Sequence, residues 1–219
     1  MLEVHGLLQR LARRRQLFHS EADFQHAFAW ELHSRCPSAM VRLERPLDSD
    51  LGSLHVDVVV ELAHRCYAFE LKYKTRAIAG SLPDETFNLQ NHGAQPIGRY
   101  DFMKDLQRLE SLCRRLPDVT AWAVLLTNDS AYWAQARGAE DTSAAFSLGN
   151  GRRVSGLLRW SARTSPGTKR KRESPIEIVG RYVLDWHDYS TISGHSHGRL
   201  RYLAVEVQMI PAVSGRGDS

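Results

Sequence analysis

His55-Val56-Asp57-Val58-Val59-Val60 and Cys66-Tyr67-Ala68-Phe69-Glu70-Leu71-Lys72 decide how this chain of 219 residues folds. Both runs are dense in β-branched and aromatic residues, which suit a pleated, half-buried surface. Glu61-Leu62-Ala63-His64-Arg65 between them is short enough to reverse the chain, so the runs read as adjacent strands of a hairpin. Side chains alternate along a strand, which puts Glu70 and Lys72 on one face and Leu71 on the other. An acid near the start of one strand then neighbours an acid and a lysine near the end of the next. If Asp57 takes the same face, two carboxylates and an ammonium converge.

Two carboxylates at one spot repel each other unless a positive charge sits between them, and hard oxygen ligands with open water positions suit magnesium. Such a cation binds a phosphate oxygen, acidifies a water and neutralises charge at a scissile phosphate. A lysine beside it orients or deprotonates the attacking water, or stabilises developing negative charge. A bare Glu-x-Lys triplet ordinarily just faces solvent on a half-exposed sheet. Here it ends an apolar strand and follows an acid at hairpin distance.

These residues resemble the PD-(D/E)XK nuclease superfamily, with Asp57 as its first acid, Glu70 as its second and Lys72 as its lysine. Val56 stands where the name-giving proline would be, a position that does no chemistry. The resemblance implies an α/β fold with a restriction-endonuclease-like core, a mixed central sheet flanked by helices in the order helix, three strands, helix, strand. That order can be laid on the chain from about His19 to Thr127. It also implies Mg²⁺, with Mn²⁺ as a substitute, held by Asp57, Glu70 and the Leu71 carbonyl, while Lys72 serves the attacking water.

Ser20-Glu21-Ala22-Asp23 reads as an N-cap with acids in the first turn, opening a helix to about Arg35 with Phe24, Phe28 and Leu32 as its apolar centre. Nucleases of the resembled type often place a glutamate from this helix beside the metal. Glu21 and Glu31 are the candidates, and Glu21 lies nearer the apolar centre on the wheel. Ala39 to Arg45 fits a first strand, with Pro46 to Ser53 as a loop. Thr75 to Ile97, carrying Pro83, Asn91-His92-Gly93 and Pro96, reads as an irregular, substrate-gating loop.

A helix from about Tyr100 to Leu116 has Phe102, Leu106, Leu109, Leu112 and Leu116 at core spacing. Its Lys104, Arg108 and Arg115 lie among Asp101, Asp105 and Glu110 as ordinary helical ion pairs. The resemblance gives Arg99 and Lys104 a second role, facing the phosphate. Thr120 to Thr127 is a continuous apolar run, suited to a strand covered on both faces.

Leu157 to Trp160, Ile176 to Leu184 and Leu200 to Val207 read as strands of a β-rich C-terminal extension, about residues 128–210, within a single domain spanning 1–219. Between the first two, Lys169-Arg170-Lys171-Arg172 is either a grip on a nucleic-acid backbone or a solvated loop. Around Trp186 to Ser190, which carries His187, and Gly194 to Gly198, no third ligand stands at a recognisable spacing, and His195 and His197, two apart in a Gly/Ser turn, are weak evidence for a histidine metal site.

The net charge of +4 and pI near 9.1 favour a polyanionic partner. Arginine supplies 24 of the 29 basic residues, which suits bidentate phosphate recognition but equally a GC-rich coding bias. Cys36, Cys66 and Cys113 have neither disulfide nor zinc-ribbon spacing. No apolar run approaches the roughly 20 residues of a membrane span, and the N-terminus lacks a signal pattern, so a cytoplasmic protein is expected. The terminal Arg216-Gly217-Asp218-Ser219 matches an adhesion tetrapeptide by coincidence. The expected function is a metal-dependent endonuclease acting on DNA rather than RNA, alone, as a homodimer or with a partner protein of a defence or repair system. The rivals are a catalytically silent binding module on the same fold and an RNA-cleaving toxin.

Overall fold

The computed structural model describes residues 2–83, 85–135 and 141–207; the Arg216–Ser219 tetrapeptide lies outside them. In chain order the elements are α1 (Val4–Arg14), α2 (Glu21–Arg35), β1 (Met40–Ser49), β2 (Gly52–Leu62), β3 (Arg65–Lys74), β4 (Ile78–Leu82), β5 (Glu85–Leu89), α3 (Gln95–Arg115), β6 (Val119–Thr127), β7 (Arg152–Leu158), α4 (Pro166–Lys169), β8 (Ile176–Leu184), β9 (Trp186–Thr191) and β10 (Arg199–Val207). The fold is mixed α/β. Among the described residues, six strands form one central sheet in the order β1-β2-β3-β6-β10-β9, in which β3 and β6 are the parallel pair. A parallel neighbour requires a crossover, and α3 supplies it.

The apolar spacing of the helices explains where each one lies. Leu7 and Leu8 of α1 and Phe24 and Phe28 of α2 pack on one face of the sheet, against Phe69, Leu71, Trp122 and Val124. Phe102, Leu106 and Leu109 of α3 pack on the other face, against Ala68, Ala121, Ala123 and Leu125. The run of alanines under α3 lets the helix approach the sheet closely. Buried on both faces, β6 reads as an unbroken apolar stretch. At the start of α2 the Asp23 N–H donates to Ser20 Oγ at 3.1 Å, the expected cap.

Several boundaries differ from the sequence-based expectations. The hairpin between β2 and β3 turns on Ala63 and His64 alone, both at positive φ (49° and 65°), as tight two-residue turns require. Strand β1 does not stop at Arg45 but runs through Pro46 to Ser49. As an edge strand, it loses nothing by lacking the proline N–H.

The stretch read as an irregular gating loop is ordered: β4 and β5 form a hairpin that buries Ile78, Phe87 and Leu89, and α3 begins at Gln95 with Pro96 in its first turn. The C-terminal extension divides. β10 and β9 widen the central sheet, whereas β7 and β8 pair only with each other and lie on α3. There the buried Glu110 accepts from the Val179 N–H (3.0 Å), the Gly180 N–H (2.7 Å) and the Tyr182 hydroxyl (2.9 Å). No helix among the described residues is long and apolar enough to cross a membrane.

Candidate active site

Strand β2 has two partners, and they part company at Asp57. Its ladder with β3 covers Leu62 to Val58 and ends, while its ladder with β1 continues to the Ser49–Gly52 pair. Val58 and Val60 belong to the core under α1 and α2, but Val56 and Leu54 belong to the core under α3. Glu44, between the Leu43–Val58 and Arg45–Val56 pairs of the β1–β2 ladder, takes a left-handed conformation (φ 50°) at this bend. Where the ladder ends, the Leu71 N–H donates to Asp57 Oδ2 at 2.6 Å instead of to a strand carbonyl. The site thus sits in the fork between β2 and β3.

Glu70 and Lys72 project from β3 towards α3, while Leu71 between them joins the opposite core, as the alternation predicts. Glu70 is 3% exposed, and its Oε1 has no hydrogen-bond partner among the described residues. Lys72 Nζ lies 3.2 Å from Oδ2 of Asp105, a 5%-exposed carboxylate in the middle of α3. Arg108 stands 3.2 Å from the other Asp105 oxygen. The Lys72 contact is an ion pair by distance; Asp105 Oδ2 has no hydrogen bond of good geometry.

The sequence reading treated Asp105 as one of several surface ion-pairing residues and missed its place here. A signal was present. Asp105 lies three residues after Phe102 and four before Leu109, so it is an acid on the apolar stripe.

Burial dominates the electrostatics. It pushes the Asp57 carboxyl up to about 6, against the pull of the Leu71 hydrogen bond and the Lys72 charge. It drives Glu70 far above the usual carboxylate range, reinforced by the charges of Asp105 and Asp57. Asp105 is raised by burial as well, with Lys72 and Arg108 opposing. For Lys72, burial works against the charge, but Asp105, Asp57, Glu70 and Glu21 together outweigh it and hold the ammonium above its ordinary value. The fork therefore concentrates more carboxylate than it has cation to balance.

Of the two candidate helix glutamates, only Glu21 reaches the end of β3. Its Oε2 accepts from the Tyr73 N–H at 2.8 Å and lies 3.6 Å from Lys74 Nζ. Glu31 is buried on the α1 side, between Arg10 (3.7 Å) and Arg14 (3.3 Å).

The expected phosphate-facing residues of α3 are otherwise occupied. Arg99 is buried and donates to Asp141 (3.2 Å), Ser143 (3.1 Å) and the Ala131 carbonyl (2.7 Å), so it braces a loop and does not face solvent. Lys104 donates to Gln107 at 2.8 Å on its own helix. In the basic run, Arg172 grips Asp101 with two hydrogen bonds (2.6 and 2.9 Å), one turn of α3 before Asp105. Lys169 is half-buried at the end of α4, and Arg170 and Lys171 are exposed. The segment read as a loop is thus fastened to the helix that carries Asp105. His195 and His197 stand in the turn before β10, away from His187 in β9 along the chain.

A divalent cation is compatible with the donors present. Among the described residues no three His, Cys, Asp or Glu side chains form a closed cage. An orphaned Glu70 oxygen, under the influence of the Asp105 and Asp57 charges, is an incomplete set of hard ligands, the kind that magnesium completes with water. No family model, curated protein or solved structure matches the chain.

Proposed function

We propose that the chain is a divalent-metal-dependent phosphodiester hydrolase, an endonuclease acting on DNA. One observation carries the reading: a buried Glu70 with an unsatisfied oxygen, its carboxyl raised by burial and by the Asp105 and Asp57 charges, near the Lys72 ammonium in the β2–β3 fork. Burying three acids with fewer cations than balance them is costly, and a bound divalent cation would offset that cost. The order α2, β1 to β3, α3, β6, with the β4–β5 hairpin inserted before α3 and a parallel crossover from β3 to β6, supports the same reading.

Asp57 and Glu70 would hold Mg²⁺, helped by the Leu71 carbonyl. The bound cation supplies positive charge at the scissile phosphate and lowers the pKa of a coordinated water. Lys72, held as an ammonium in the metal-free fold by the acids around it, would donate a hydrogen bond to the attacking water or a phosphate oxygen. Asp105 fixes where the Lys72 ammonium stands. Glu21 steadies the end of β3 through the Tyr73 N–H. Lys169, Arg170 and Lys171, tied to α3 through Arg172, add phosphate contacts near the site.

The test is cleavage of supercoiled, linear, branched and single-stranded DNA and of RNA with Mg²⁺ or Mn²⁺, comparing wild type with Lys72→Ala and Glu70→Gln. Metal-dependent DNA cleavage lost in both variants, with Mn²⁺ raising the melting temperature of wild type but not of Glu70→Gln, is the expected result. Salt-sensitive binding with no cleavage and no response to metal overturns it in favour of the silent binding module. Cleavage confined to RNA overturns the DNA assignment.

A further inference from the structure

We propose that a cavity at the C-terminal ends of β3 and β6 is a second contact for the nucleic-acid strand, in which Arg76 holds a backbone phosphate beyond the scissile one; this rests on the nuclease reading. The cavity, about 440 Å³, is lined by Arg76 from the end of β3, Asp129 and Ser130 after β6, Gln95 and Arg99 from the first turns of α3, and His197. In open α/β sheets, ligands gather outside the carboxyl ends of the strands, and this cavity opens where the parallel pair ends.

The charges in the cavity are committed with one exception. Arg99 is paired with Asp141, and Asp129 accepts from the Gln95 amide at 2.7 Å and the Ala131 N–H at 3.0 Å. The Arg76 guanidinium has no hydrogen bond or ion pair among the described residues, although the residue is half-buried.

Its backbone, in contrast, is firmly held. The buried Asn128 accepts from the Arg76 N–H at 2.7 Å and donates to the Arg76 carbonyl at 3.1 Å. The same Asn128 amide donates to the His197 carbonyl at 3.0 Å, tying in the turn before β10. A side chain that spends its amide on both sides of one residue fixes where that residue's head can reach. The head is a planar, permanently charged fork with no partner among the described residues, and phosphate is the ligand it matches.

Arg76 lies four positions after Lys72, so their Cα atoms are within about 14 Å of each other even for a fully extended chain. One oligonucleotide can therefore reach both. The cavity beside Arg76 has room for the attached nucleoside, with Gln95 and Asp129 as polar groups on its wall.

The experiment separates this contact from the chemistry. Glu70→Gln protein, with EDTA, is titrated with fluorescein-labelled single-stranded and duplex DNA at several salt concentrations, with and without Arg76→Ala and Arg76→Lys. Arg76→Ala is expected to weaken binding about tenfold and to lower the slope of log affinity against log salt by about one phosphate contact. Arg76→Lys restores the slope but only part of the affinity. Equal affinity and slope in the Arg76→Ala and parent proteins, with melting temperatures confirming that both are folded, overturns the contact and leaves the nuclease reading standing. Absence of binding to any nucleic acid by the Glu70→Gln protein and wild type alike overturns that reading, and the contact with it.

Discussion

Lys72 Nζ lies 3.2 Å from Asp105 Oδ2, so the last functional side chain of β3 is tied to the middle of the helix that carries the chain across to β6. The pair joins two residues of opposite charge that the hairpin sequence alone would leave unrelated. It also fixes Lys72 in space before any substrate arrives.

Asp105→Asn removes the charge that Lys72 and Arg108 share. Lys72 keeps Asp57 and Glu70 as neighbours, so the loss is smaller than for an isolated buried pair, on the order of 1–3 kcal/mol by urea unfolding. Steady-state cleavage kinetics should show a fall in kcat larger than any change in KM, because the ammonium is displaced and the DNA contacts are not. A rise in KM with kcat intact would assign Asp105 to binding.

Stability in the absence of metal should fall as pH rises. Asp57 is pushed up to about 6 from an ordinary value of 3.8, and Glu70 is raised much further, so the folded chain holds protons that the unfolded chain has released. Their stabilising contribution is complete below about pH 4 and is lost as pH rises through about 6 for Asp57 and higher for Glu70. With EDTA present, the unfolding free energy of wild type should drop on the order of 2–3 kcal/mol or more between pH 4.5 and 8. Glu70→Gln should flatten the upper part of that decline. A profile that climbs over this range would show that these carboxylates are ionised in the fold.

The two glutamates of α2 should separate by phenotype. Glu31→Gln leaves Arg10 and Arg14 facing an uncharged amide between α1 and α2, and is expected to lower the melting temperature while cleavage per folded molecule is unchanged. Glu21→Gln keeps an oxygen for the Tyr73 N–H but drops the charge near Lys74 and Lys72, and is expected to melt normally and cleave more slowly. Reversed phenotypes would place Glu31 at the chemistry.

The hairpin bearing Asp57, Glu70 and Lys72 was legible because β2 and β3 bury long apolar runs broken only by those residues. Helices α2 and α3 were legible from their apolar stripes, and β6 from its unbroken hydrophobicity. The β4–β5 hairpin was not. Its strands, Ile78-Ala79-Gly80-Ser81-Leu82 and Glu85-Thr86-Phe87-Asn88-Leu89, bury only Ile78, Phe87 and Leu89, and they flank a proline that reads as a loop.

Two roles were hidden for a different reason. Asp105 looks like any helical acid until the sheet puts a lysine over it, and Arg99 looks like a free cation until Asp141, 42 residues away, closes on it. Pairings of that kind are set by tertiary contact and leave no local pattern.

The parallel ladder between β3 and β6 carries a last consequence. It joins Cys66 to Val119 and Lys74 to Thr127, so it forms only after the whole of α3 has been made. The nascent chain exposes Asp57, Glu70 and Lys72 long before Asp105 and β6 leave the ribosome. Until then the hairpin acids stand without Asp105 and the α3 wall that crowds them together, so the proposed site is complete only once β6 has been added.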